Sequence, residues 1–118
     1  MSDIDGFQQL RNANIRRHAE WAKGGSVSLS FRGLEMAGEC GEVCNELKKI
    51  ERVRLGLAGG SDDLNGLKEE LADVLICLDL IAMDLGIDLL EETKRKFDKT
   101  SVKFGLTSRF ADDQSSDP

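Results

Sequence analysis

Lys68-Glu-Glu-Leu-Ala-Asp-Val-Leu-Ile-Cys-Leu-Asp-Leu-Ile-Ala-Met-Asp-Leu85 is the stretch that settles the fold class. At 100° per residue, Leu71, Val74, Leu75, Leu78, Ala82 and Leu85, with Leu67 just upstream, share one broad face. Glu70 and Asp73 fall within about 60° of each other elsewhere on the circumference. Neither Pro nor Gly interrupts the run, and Gly86 follows it as a natural helix stop. This is the pattern of a long amphipathic helix, not of a strand. It is not a bilayer span: Asp79 and Asp84 break its apolar part, and a span needs about 20 apolar residues.

Three further helices flank it. A Gly-rich break, Gly56-Leu-Ala-Gly-Gly-Ser-Asp-Asp63, precedes the quoted helix, which is predicted to start near Asp62 or Asp63. Upstream, a second helix is predicted from Ser28 or Ser30, both good N-caps, to about Arg54. Before that, a first helix runs from about Ile4 to Lys23 and ends at Gly24-Gly25. Downstream, Asp88 caps a fourth helix that reaches about Lys103, with Gly105 as its stop. The polar, acidic residues 108–118 read as a disordered tail. The expectation is an all-α, four-helix-type bundle over residues 1–107. Its second and third helices are each two-sided, so a homodimer or homotetramer is expected to complete it.

Composition agrees. The 118 residues suit one small domain, Pro occurs once and Tyr not at all. A formal charge of −6 argues against non-specific nucleic-acid binding, which depends on Lys and Arg neutralising phosphates. It leaves room for a phosphorylated small molecule bound through a divalent cation. Three cysteines, Cys40, Cys44 and Cys77, lack CxxC spacing and read as reduced thiols. The acidic N-terminus has no apolar leader. These features predict a cytoplasmic protein with no membrane partner.

The second helix carries a stripe of its own. Glu35, Glu39, Glu42 and Glu46 fall within about 60° of each other. Like charges four residues apart repel by a few tenths of a kcal/mol, so the stack needs solvent, basic neighbours or a cation. Spacing alone does not choose between a solvated acidic face and a metal site. If a metal is held, carboxylates without His or Cys suit a hard ion such as Mg²⁺ or Mn²⁺. Mg²⁺ in turn favours substrate phosphates as further ligands, which points to a nucleotide or another polyphosphate.

Leu34-Glu-Met-Ala-Gly-Glu-Cys-Gly-Glu-Val43 followed by Lys68-Glu-Glu-Leu-Ala-Asp-Val-Leu-Ile76 resembles the MazG-like, all-α nucleoside triphosphate pyrophosphohydrolases. Their paired signature is Glu-x-x-Glu and Glu-x-x-Asp, here Glu39-Cys-Gly-Glu42 and Glu70-Leu-Ala-Asp73. Lys96-Phe-Asp-Lys-Thr-Ser-Val-Lys-Phe-Gly105 looks like the family's last helix, and the details are most similar to the dCTP-pyrophosphatase-like branch. The resemblance spans roughly residues 15–110. It implies an oligomeric helical bundle, with Mg²⁺ (or Mn²⁺ in its place) held by Glu39, Glu42, Glu70 and Asp73. It implies hydrolysis of a (d)NTP to the monophosphate and pyrophosphate, in nucleotide-pool house-cleaning. Where several relatives place an acid before the first motif Glu, this chain has Gly38, leaving Glu35 or Glu46 as candidate general bases, or a water activated by the metal with no dedicated base. Thr100 stands where some relatives have Asn.

The resemblance also gives a phosphate-binding role to Lys96, with Lys103 on the same stripe of the fourth helix, against the alternative of a solvated basic face near a helix end. Phe7, Leu10, Asn14, His18 and Trp21 project to one side of the first helix, as core or as a base pocket. Base and sugar contacts are expected from His18, Trp21, Phe31 and Thr100. Cys40 and Cys44 read as small core residues, and Cys77 lacks a positioned His to activate it. Two other readings stand beside this one: a phosphoribosyl-ATP pyrophosphohydrolase, and a non-catalytic helical dimer that binds nucleotides or regulates a partner.

Overall fold

The computed structural model describes residues 4–111. Four α-helices follow one another: α1 (Gly6–Trp21), α2 (Leu29–Leu55), α3 (Asn65–Leu85) and α4 (Leu89–Lys103). No strand occurs among the described residues, so the fold is all-α. The chain divides into two compact units, one ending at Leu85 and one beginning at Gly86.

Each helix starts and stops where local chemistry directs it. The Asp5 carboxylate accepts from the Gln8 N–H at 2.8 Å, the Ser28 hydroxyl from Phe31 N–H at 3.1 Å, and Asp88 from Glu91 N–H at 3.1 Å. Each satisfies one of the donors that a helix start leaves unpaired. α2 ends at Gly56, which adopts a left-handed φ of 71° while Leu57 N–H returns to the Arg52 carbonyl at 2.8 Å. α1 begins two residues later than its sequence pattern suggests, because Asp5 is its cap. α3 begins at Asn65, with Asp63 Oδ1 accepting from Asn65 N–H at 2.9 Å.

In the first unit, α3 packs against both α2 and α1. The α2–α3 pair is antiparallel, as its side-chain partners show. Arg32 near the start of α2 bonds Asp84 near the end of α3, at 2.8 Å. Glu46, farther along α2, lies against Gly66 at the start of α3, where a Cβ would stand 2.8 Å from its carboxylate oxygen. Between these two ends, Glu39 meets Glu70 and Asp73. α1 is fastened to α3 by a buried ion pair. Arg11 Nε donates to both oxygens of Asp79 at 3.1 Å, and Asn14 Nδ2 donates to Asp79 Oδ2 at 2.9 Å. Asp79 is 1% exposed, and such a charge is tolerated only because its oxygens find donors.

The apolar faces are only partly covered. Leu71, Leu75, Leu78 and Leu85 of α3 are each at least 41% exposed, as are Leu34 and Leu47 of α2. Cys40 and Cys44, expected in the core, are exposed. They lie on the side of α2 opposite the glutamate stripe, and the stripe is the side that meets α3.

The second unit comprises α4 and the segment after it. Gly105 turns at φ 68°, and Leu106 N–H closes onto the Ser101 carbonyl at 2.8 Å. The chain then folds back: Phe110 N–H donates to Asp98 Oδ1 at 2.8 Å, and its ring meets Phe97 edge-on at 5.9 Å. Residues 108–111 are thus tied to α4. The rest of the expected acidic tail, 112–118, lies outside the described residues.

Candidate metal centre and adjoining cleft

The antiparallel register decides which acids meet. Glu39 from α2 and Glu70 and Asp73 from α3 bring one carboxylate oxygen each to within 4.8 Å of one another. Glu70 and Asp73 are one turn apart on α3 and face α2; Glu39 faces back from the middle of the α2 stripe. The crowding acts on Glu39 and Glu70. Glu39 is raised above the ordinary glutamate value by loss of water, and then by Asp73, Glu42 and Glu35, with a hydrogen bond to Asp73. Glu70 is raised by loss of water, then by Asp73, Glu42, Glu39 and Glu46. No Lys or Arg among the described residues pairs with Glu39, Glu70 or Asp73 at ion-pair distance. A cation between the three would offset the repulsion that raises Glu39 and Glu70.

The donor set fits a hard divalent ion. It is made of oxygen alone and supplies three ligand atoms from two rigid helices. Glu42 is exposed and not one of the three clustered carboxylates, although its charge acts on both Glu39 and Glu70. The two remaining acids of the stripe have different neighbours. Glu46 pairs with Lys49 at 3.0 Å and abuts Gly66. Glu35 is held more loosely, 3.5 Å from Arg32, and lines a cleft. Cys77 is buried one turn beyond Asp73. Burial and the charges of Glu35, Glu39 and Asp73 push its thiol up to about 11, so it stays protonated and is no nucleophile.

The cleft beside Glu35 has a volume of about 220 Å³ and is lined by Asn14, Arg17, His18, Trp21, Arg32, Glu35 and Leu80. His18 and Trp21 stand 6.2 Å apart by ring centroids, and Trp21 and Phe31 6.1 Å apart. Trp21 and Phe31 are exposed, so this trio is not a core cluster; His18 and Trp21 form the aromatic wall of the cleft, and Phe31 stands behind Trp21 outside its lining. Arg32, 2% exposed, forms the floor, with bonds to Asp84, Glu35 and His18.

Sequence reasoning singled out Glu39, Glu70 and Asp73, and the structure brings these three together. It missed Arg32 and Asp84, as well as the Arg11–Asp79 pair. The available signal was the two aspartates inside an apolar run, which demand buried partners. The residues on α4 belong to the second unit. Lys96 and Thr100 line a groove of about 720 Å³ there with Phe97 and Leu106, while Lys103 Nζ lies 5.5 Å from the Phe104 ring centre.

No protein-family model matches the chain, and neither curated proteins nor solved structures yield a match. The functional reading therefore rests on the residues and their geometry.

Proposed function

We propose that this chain is a Mg²⁺-dependent nucleoside triphosphate pyrophosphohydrolase of the MazG-like kind. The observation that carries the reading is the convergence of Glu39, Glu70 and Asp73 to within 4.8 Å, from the two halves of the paired Glu-x-x-Glu and Glu-x-x-Asp pattern. An adjoining cleft with an aromatic wall supports it, since a nucleotide needs a place for its base beside a place for its phosphates.

In this reading Glu39, Glu70 and Asp73, assisted by the charge of Glu42, hold the divalent ion. When bound, the ion offsets phosphate charge and makes water more acidic. Glu35 takes the proton of the attacking water, being the freer of the two candidate bases. Water adds to the α-phosphorus, and the bond to the bridging oxygen breaks, leaving with pyrophosphate. Trp21, Phe31 and His18 receive the base. The family resemblance, and not the geometry, assigns phosphate binding to Lys96 and Lys103 and a sugar contact to Thr100, all three in the second unit. The exposed leucine stripe of α3 is the surface through which a second copy completes the bundle. The setting is the cytoplasm, with nucleotide-pool house-cleaning as the role.

The test is product identity. Incubation with Mg²⁺ and each common dNTP and NTP, followed by ion-exchange chromatography, is expected to give monophosphate and pyrophosphate. Diphosphate and orthophosphate would place the cut at the wrong bond. Turnover of phosphoribosyl-ATP alone would move the chain to that neighbouring activity.

A further inference from the structure

The floor of the cleft holds a buried cation that no catalytic role requires. The Arg32 side chain is 2% exposed. Its Nε donates to Asp84 Oδ2 at 2.8 Å and its Nη1 to Glu35 Oε1 at 3.5 Å. The short Asp84 contact, with the looser Glu35 one beside it, orients the guanidinium. Its remaining edge then faces α1, where Nη2 stands 3.2 Å from His18 Nδ1. A guanidinium has donors only. His18 Nδ1 must therefore accept, and an imidazole that accepts at Nδ1 carries its proton on Nε2. Nε2 has no hydrogen-bond partner among the described residues, and His18 lines the cleft.

We propose that Arg32 is a positioning residue that locks His18 as the neutral Nε2–H tautomer, so that this ring offers one fixed donor to an acceptor on the edge of a nucleobase. The proposal rests on the hydrolase reading for the identity of the ligand, but the tautomer lock stands on the Arg32 geometry alone. A cleft of about 220 Å³ falls below the range of about 300–1,000 Å³ usual for whole drug-sized ligands. It suits one ring system with the sugar and phosphates outside. The complementary group is a ring nitrogen or a carbonyl oxygen; an N–H or C–H at that place leaves the donor unmatched. Asp84, which does not line the cleft, thus acts on the ligand through Arg32 and His18.

His18 is the only histidine in the chain, so its ring nitrogens can be read without ambiguity. The full-length protein labelled with ¹⁵N-histidine is studied by long-range ¹H–¹⁵N correlation at neutral pH, without substrate. One protonated nitrogen, assigned to Nε2, is expected; a proton on Nδ1, or fast averaging between tautomers, overturns the lock. Arg32→Lys, which keeps a positive charge for Asp84, is expected to lose the lock and to show averaging; an unchanged spectrum in this variant also overturns it. The second arm takes the preferred dNTP and analogues in which each base acceptor in turn is replaced by C–H. One analogue is expected to show a KM raised about tenfold with kcat little changed, the scale of one neutral hydrogen bond. That penalty should vanish in Arg32→Lys. Equal KM for every analogue overturns the assignment of the donor to the base. Absence of turnover with every dNTP would sink the hydrolase reading, while the histidine spectrum alone would still decide the lock.

Discussion

Three carboxylates held within 4.8 Å of one another set a measurable cost on the metal-free protein. Glu39 and Glu70 both titrate above the ordinary value of 4.5 because of lost hydration and mutual repulsion. The folded state therefore binds protons more tightly than the unfolded chain at these two sites. Between 4.5 and the raised folded values, stability contributed by them is lost as pH rises. Thermal unfolding without divalent ions should show Tm falling through this window. In Glu70→Gln the fall should be shallower and Tm at neutral pH higher, because the repulsion is gone. Added Mg²⁺ should raise Tm in the wild type and much less in the variant. A variant with the same slope and the same Mg²⁺ response as wild type would mean that the triad neither repels nor binds. Most of this site was legible in the sequence, since Glu-x-x-Glu and Glu-x-x-Asp place their acids one turn apart whatever the tertiary fold. What spacing left open was which member of the first stripe faces the second helix. The antiparallel register, pinned by Arg32–Asp84 at one end and Glu46–Gly66 at the other, selects Glu39.

At the scale of helices, the first unit is held by charged pairs as much as by leucines. Asp79 sits in the middle of an apolar run and draws Arg11 and Asn14 of α1 onto α3. Removing one partner of a buried pair leaves the other uncompensated, at a cost of about 3–5 kcal/mol. Asp79→Ala should lose stability on that scale in urea unfolding, with an unchanged m-value if the fold survives. A loss below about 1 kcal/mol would show that solvent reaches Arg11 and that the pair is a surface one. Helix ends were readable because their caps are local: Ser28, Gly56 and Asp88 act within four residues of themselves. The buried pairs were not, because nothing in Arg11 or Arg32 announces a partner more than fifty positions away. Phe110 was missed for the same reason: its ring packs on Phe97 from within a segment whose composition is that of a tail.

For the molecule as a whole, one apolar surface left uncovered among the described residues is the outer face of α3. Leu71, Leu75, Leu78 and Leu85 recur at spacings of four, three and seven, and all are exposed in the single chain. This is the seam that a partner helix fills in a bundle. Periodicity marked these residues as apolar, but it does not say whether a helix of the same chain or of another covers them. Self-association through this seam predicts that Leu75→Glu shifts the chain from dimer or tetramer towards monomer in light scattering after size exclusion. Exposed single residues seldom matter, whereas a continuous apolar line does. A wild-type chain that is monomeric at micromolar concentration would rule out this seam as an interface.

The central claim is that the Glu39–Glu70–Asp73 cluster holds the divalent ion needed to split a nucleoside triphosphate between its α- and β-phosphates. The direct measurement is pyrophosphate release from dNTPs with and without Mg²⁺, in wild type and in Glu39→Gln and Asp73→Asn, with folding of each variant checked by circular dichroism. Release should require Mg²⁺ and fall at least about a hundredfold in both variants, the scale on which a lost electrostatic contact to a transition state registers. Undiminished release in either folded variant, or release that is indifferent to Mg²⁺, would contradict the claim.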